Sequence, residues 1–244
     1  MTPFTPTYPE RQRRTLAPGA IHLPGWLDTP HQQRLVEAFR EWSTGPVPIR
    51  AAASLPGGRH MSVHTVCLGW HWQPYRYTRT ADDVNGRPVL PLPAWLADIG
   101  RTVLDDAYGS GSDYRPDTAL VNYYDAAARL GMHQDKDEAV DEPVVSLSIG
   151  DTCRFRFGNL TDRGKPYTDV DLVSGDAFVF GRESRFAYHG VPKIYPGTAA
   201  PEGGPDRGRI NITMRVTGLD RTILPPTTSS SLPHLTSSTQ PSST

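Results

Sequence analysis

Arg209-Ile210-Asn211-Ile212-Thr213-Met214-Arg215-Val216 alternates polar and apolar residues at every position. Side chains on a strand point to opposite faces in turn, so Arg209, Asn211, Thr213 and Arg215 share one face and the four apolar residues share the other. An apolar face of this kind packs between sheets or beneath a helix. Other short β-rich runs precede it: Leu120–Tyr124, Val144–Ile149, Cys153–Phe157, Thr168–Val173 and Ala177–Phe180, each bounded by Gly, Pro or Asp. Phe155 and Phe157 alternate with Arg154 and Arg156 in the same way. Short strands separated by turn signals predict a mainly β protein, a sandwich of the jelly-roll (double-stranded β-helix) kind.

Two amphipathic helices are predicted ahead of these strands, packed on the outside. Thr29 reads as the N-cap of the first, with Pro30 at its first helical position and Gln32 closing a capping box. Leu35, Val36, Phe39 and Trp42 then recur at helical spacing until Gly45-Pro46 ends the run. The second begins near Pro93, carries Leu96, Ile99 and Val103 on one face and stops before Gly109. Three regions are expected: an irregular segment over residues 1–15, one folded domain over 16–218, and a Ser/Thr/Pro-rich tail over 224–244. The tail has too little to bury to offset its ordering entropy.

The 244 residues are 37% hydrophobic, enough for a core, with a formal net charge of -1. No apolar run approaches the roughly 20 residues of a membrane-spanning helix. No apolar stretch opens Met1–Glu10, so a secretory signal is not expected. The charge excludes a histone-like polycation, and a nucleic-acid partner has to meet a local basic surface. Cys67 and Cys153 are too few for a disulfide framework or a cysteine zinc site. They are expected as reduced, buried thiols in a cytoplasmic protein, and a monomer is expected.

His133-Gln134-Asp135 places two ligand-type side chains at i and i+2, on one side of an extended backbone, and His189 follows between Tyr188 and Gly190. Two imidazoles and one carboxylate on one face of a metal, with the other positions open, suit a non-haem Fe(II) oxygenase. An H-x-D tripeptide alone more often marks a polar turn. The face carrying Arg209, Asn211 and Arg215 has two readings as well: the solvated side of an edge strand, or a water-poor pocket whose guanidinium forks grip a dicarboxylate. Asn122 and Tyr124 form a further polar pair on one face.

The order Asn122-x-Tyr124, His133-x-Asp135, His189, Arg209-x5-Arg215 resembles the AlkB family of Fe(II)- and 2-oxoglutarate-dependent dioxygenases. So do His133-Gln-Asp-Lys-Asp-Glu138, Val145-Ser-Leu-Ser-Ile-Gly150, Phe155-Arg-Phe-Gly158, Gly181-Arg-Glu-Ser-Arg185 with Tyr188-His189-Gly190, and Leu68-Gly69-Trp70. The resemblance covers roughly residues 17 to 217. It implies that His133, Asp135 and His189 ligate Fe(II), and that Asn122, Tyr124, Arg209, Asn211 and Arg215 hold 2-oxoglutarate, with O2 as the other cosubstrate. It implies oxidative removal of N-methyl groups from 1-methyladenine and 3-methylcytosine in alkylated DNA, single-stranded or duplex, with RNA a further candidate. Such bases are cationic. By the same resemblance Asp137 faces the base, Trp70, Tyr75 and Tyr77 form an aromatic lid over it, and Arg163 takes the place of a basic residue near the substrate. Two departures stand out: the segment from Trp70 to the first lid tyrosine is one residue short, and Thr161-Asp162 precedes the basic residue. The competing reading is a 2-oxoglutarate-dependent hydroxylase of a small molecule or a protein.

Overall fold

Arg209–Arg215 lies inside the larger of two sheets, and the side it turns to each neighbour explains the architecture. The computed structural model describes residues 11–50, 54–55, 59–60, 62–200 and 202–220. Its strands and helices run β1 (Arg14–Ala17), β2 (Ala20–Leu23), α1 (Thr29–Ser43), β3 (Ser54–Leu55), β4 (Arg59–His60), β5 (His64–Leu68), β6 (His71–Gln73), β7 (Arg76–Thr78), α2 (Ala94–Tyr108) and β8 (Thr118–Tyr124). They continue as β9 (Leu130–His133), β10 (Val144–Gly150), β11 (Thr152–Phe157), β12 (Thr168–Leu172), β13 (Ala177–Phe180), β14 (His189–Tyr195) and β15 (Arg209–Arg215). The large sheet has the order β1-β2-β13-β10-β15-β8-β5 and the small one β12-β11-β14-β9. This is a double-stranded β-helix with both helices on the outer face.

Alternation decides which layer each residue joins. Val145, Leu147 and Ile149 of β10, with Ile210, Ile212 and Met214 of β15, pack against Leu35 and Val36 of α1 and Leu96, Val103 and Leu104 of α2. Each such side chain contributes on the order of 1.5–3 kcal/mol on burial. The opposite face meets the small sheet: Val144, Phe178 and Phe180 pack on Phe155, Phe157, Val170 and Leu172. Phe178 lies 4.9 and 5.4 Å from Phe155 and Phe157, ring centre to ring centre. Between these two layers, at one end, the polar residues of β8, β10 and β15 are left facing inward.

Local details differ from the expectation. The N-cap of α1 is Asp28, not Thr29, because the Asp28 carboxylate accepts the His31 backbone N–H at 2.9 Å. Gln32 is therefore not part of a capping box; its amide donates to the Leu27 carbonyl and accepts from the Ser174 hydroxyl, tying α1 to the sheet. Arg14 and Thr15, placed in the irregular segment, form the start of β1. Residues 1–10 and the tail 224–244 lie outside the described residues. β14 went unpredicted because Pro192 interrupts its pattern; the pairings with β9 and β11 both shift register beside it, which lets a proline sit in an inner strand.

Asp176 fastens β1–β2 to the core. Its carboxylate receives Arg11 at 2.6 Å, His22 at 2.9 Å, and the backbone N–H groups of Gly25 and Val173. Burial alone raises this carboxyl, but the hydrogen bonds from His22, Arg11 and the backbone outweigh it and hold the group below the usual carboxylate range. The contribution to stability is therefore complete above about pH 4 and is lost as the pH falls through the depressed folded value. Urea midpoints measured from pH 6 down to pH 2.5 are expected to fall in the native protein and to fall less steeply in Asp176→Asn. Parallel acid limbs in the two proteins contradict this.

Candidate metal and cosubstrate site

His133 ends β9 and His189 opens β14, and the two are direct partners in the ladder between those strands. Asp135 follows two residues after His133, so the three side chains converge. Nε2 of each histidine lies 3.6 Å from a carboxylate oxygen of Asp135, and the three ligand atoms are all within 4.8 Å of one another. Among the described residues this is the one cluster of metal-capable groups. Asp135 and His189 are buried, while His133 is partly exposed and marks the open side.

The donor set fits a divalent metal. Nδ1 of His133 meets the Gly131 carbonyl at 2.9 Å and Nδ1 of His189 meets the Ala187 carbonyl at 3.0 Å. Each Nδ1 thus carries its proton, and each Nε2 lone pair is left for a metal. Burial first, and the neighbouring His133 second, push His189 down to about 4, so it is neutral at physiological pH. Burial opposes ionisation of Asp135, but Arg215 and the histidines outweigh it and hold the carboxyl far below its usual range. Arg215 Nη2 lies 2.8 Å from Asp135 Oδ2 as an ion pair without hydrogen-bond alignment. A lone pair of that buried oxygen is left unclaimed.

Beside the triad, β15 runs between β8 and β10. Register sets Asn211 against Asn122, Arg209 against Tyr124, and Thr213 against Ser146. Arg209 is 1% exposed and donates to the Ser148 hydroxyl at 2.8 Å, while its Nε and Nη1 have no partner. A buried guanidinium with unanswered donors is costly unless an anion completes it. Asn211 is fixed by Ser146 and the Leu147 carbonyl, and its own carbonyl accepts from Thr213 and Asn122. Burial pushes the Tyr124 phenol up, so it stays protonated. Asn122, Tyr124 and Arg209 line one cavity together with His133, Asp135 and His189. The inward face of β15 is thus a pocket wall and not the solvated side of an edge strand.

Arg215, expected to hold 2-oxoglutarate, also reaches carboxylates of the protein itself. Although it lines the cavity, its guanidinium is engaged by Asp135, by Glu138 Oε1 at 3.1 Å and by the Tyr77 hydroxyl at 3.0 Å. Sequence reasoning gave no role to Ser146, Ser148, Glu138, Arg185 or Trp72. The two serines were detectable, being the polar members of an alternating strand whose other face is apolar.

The lid residues separate. β6 and β7 form a hairpin around Pro74 and Tyr75, and Tyr75 takes a φ of 74° at the second loop position, as in a type II turn. Tyr75 is 70% exposed. Tyr77 is buried, its hydroxyl drawn inward to Glu138 at 2.6 Å. Trp70 is half-buried with the Arg79 guanidinium 3.7 Å above its ring. Asp137 accepts from the Trp72 indole N–H at 2.8 Å, which places the hairpin against the segment that carries the metal ligands. Arg163 is exposed in the turn after β11, and no polar contact joins it to the site among the described residues.

The 2OG-Fe(II) oxygenase superfamily matches residues 19–215. The chain is 38% identical over 208 residues to an alpha-ketoglutarate-dependent dioxygenase AlkB homolog of Caulobacter vibrioides, a match covering 82% of this chain and 89% of that one. It is 30% identical over 225 residues to a DNA N(6)-methyladenine demethylase, ALKBH1D, of Arabidopsis thaliana, covering 84% of this chain and 50% of the plant protein. The solved structure of OsALKBH1 superposes with a TM-score of 0.74 at 31% identity, over 84% of this chain and 100% of that one.

Proposed function

We propose that this chain, which belongs to the 2OG-Fe(II) oxygenase superfamily and within it to the AlkB family, oxidatively removes N-methyl groups from bases in DNA. The protein is an Fe(II)- and 2-oxoglutarate-dependent dioxygenase. The carrying observation is the His133–Asp135–His189 cluster beside the buried, unanswered donors of Arg209. His133, Asp135 and His189 hold Fe(II), and Arg209 takes the distal carboxylate of 2-oxoglutarate. Asn122, Tyr124, Asn211 and Arg215 complete the cosubstrate pocket, and Arg215 also pairs with Asp135. When bound, Fe(II) with 2-oxoglutarate and O2 oxidises the N-methyl group to hydroxymethyl, giving succinate and CO2, and formaldehyde then leaves the base.

On the substrate side, Asp137 offers a negative charge to a cationic base such as 1-methyladenine or 3-methylcytosine and selects against neutral bases. Trp70 and the exposed Tyr75 supply stacking surfaces, and Arg163 a phosphate contact. A base in duplex DNA has to be flipped out to reach the cavity. The plant relatives named for N6-methyladenine make that neutral lesion the natural competitor. RNA is a further substrate class. No helix among the described residues is long and apolar enough to cross a membrane. The free, buried Cys67 and Cys153 support a cytoplasmic setting, and the proposed active form is a monomer.

The test is a panel of 1-methyladenine, 3-methylcytosine and N6-methyladenine in single-stranded DNA, duplex DNA and RNA, with formaldehyde release as readout. Fastest release is expected from the cationic lesions in DNA. Turnover of 2-oxoglutarate with every methyl group retained points instead to a small-molecule or protein hydroxylase and ends the demethylase reading.

A further inference from the structure

The hairpin and the metal-ligand segment are joined by two cross-strand partners. Trp72 on β6 pairs directly with Tyr77 on β7. Trp72 donates to Asp137 and Tyr77 donates to Glu138, so adjacent carboxylates of one segment are each held by one aromatic residue of the hairpin. The two contacts lead to different places. Trp72–Asp137 ends at the carboxylate that the proposed function assigns to the base. Tyr77–Glu138 enters a buried network: Arg215 Nη1 donates to the Tyr77 hydroxyl and contacts Glu138, and Arg215 Nη2 meets Asp135 Oδ2. The other Glu138 oxygen takes Arg185 Nη2 at 2.9 Å, and Arg185 Nη1 donates to the Asp135 carbonyl. Asp135 is thus gripped through its side chain by one guanidinium and through its backbone by another, with Glu138 between them. The side chains of Glu138, Arg185 and Arg215 are all less than 10% exposed.

We propose that Tyr77 is a positioning residue for the metal site: its hydroxyl, through Glu138 and Arg215, holds the Asp135 carboxylate in the orientation that a divalent metal requires. Among the described residues Tyr77 is the member of the hairpin that reaches this network, and its hydroxyl both donates and accepts there. Without that hydroxyl, the guanidinium keeps two contacts in place of three, Glu138 at Nη1 and Asp135 at Nη2, and can tilt about the line that joins them. The Asp135 carboxylate turns with it, since Arg215 is the side chain that pairs with it outside the metal cluster. Groups that orient metal ligands in this way typically govern metal affinity by 10–100-fold. The inference rests on the iron site of the proposed function but not on its substrate.

The experiment is titration of the full-length metal-free chain with Co(II), under exclusion of air, read by ligand-field absorption. Tyr77→Phe is expected to weaken Co(II) binding about 10-fold with an altered absorption envelope. Trp72→Phe, which loosens the same hairpin without touching the Arg215 network, is expected to stay within about twofold of the native protein. Glu138→Gln keeps an acceptor for the Tyr77 hydroxyl but removes the charge that steadies Arg215, and is expected to move Co(II) affinity in the same direction as Tyr77→Phe. The inference is overturned if folded Tyr77→Phe binds Co(II) like the native protein, or if Trp72→Phe loses as much affinity. Should Tyr77→Phe not fold, native-like Co(II) affinity in Glu138→Gln overturns it equally. No nucleic acid enters these measurements, so this result is separate from any failure of the base-demethylation reading.

Discussion

Arg209→Met is expected to raise the 2-oxoglutarate requirement by about 100-fold or more while leaving the metal-free protein at least as stable as before. Both effects follow from one placement. Arg209 is almost wholly buried, with two of its donors unanswered. In the complex, loss of one partner of a buried ion pair costs about 3–5 kcal/mol, and 1.4 kcal/mol is tenfold in affinity. In the empty protein no such pair exists, and an apolar side chain of similar volume replaces a poorly compensated charge at no cost or at a gain. A 2-oxoglutarate titration of turnover, paired with thermal unfolding, reads the two signs separately. An unchanged requirement places the cosubstrate elsewhere; a sharp fall in stability shows that Arg209 is structural.

Loss of the metal ligands is the second large effect, and the two ligands should differ in what else they disturb. Asp135→Ala and His133→Ala are each expected to lower turnover on the order of 10³-fold, because an open three-ligand site that loses one ligand no longer holds and polarises its metal. Asp135 also neutralises Arg215 inside the protein. Its removal is expected to cost about 3 kcal/mol, roughly 6–12 °C in unfolding temperature for a chain of this size. His133 is partly exposed, and its ring makes one backbone contact through Nδ1. Its replacement should therefore leave the unfolding temperature within about 2 °C. Calorimetry with parallel formaldehyde assays checks both. Retained turnover in either variant removes the iron centre from its proposed place, and equal unfolding temperatures remove the buried pair.

The strands of the sandwich core were legible because a strand records its two environments residue by residue. Ile210, Ile212 and Met214 read as one apolar face, and they do lie under the helices. The metal triad was legible for a different reason. His133 and Asp135 share a side of the chain by local geometry, while His189 was joined to them only by the order of motifs along the sequence. β14 was hidden by Pro192, whose tolerance depends on register shifts in two neighbouring strands. The further contacts of Arg215 and Tyr77 were not legible, because both are polar groups with several eligible partners. Arg215 was matched to a carboxylate of the cosubstrate, and in the fold it also pairs with carboxylates of the protein itself, Asp135 and Glu138.

From its order of residues alone, then, this protein is a β-sandwich carrying two imidazoles, a carboxylate and a pair of guanidiniums on strand faces, since period-2 geometry is local to each strand. Which guanidinium waits for a ligand and which is already engaged was decided only in three dimensions. Strand register sets Asn211 beside Asn122 and His189 beside His133, and the hairpin brings Tyr77 and Trp72 onto residues some sixty positions away. A charge takes the partner that is near and dry in the folded protein, and nearness across a sheet is a property of pairing between distant segments, not of any one of them.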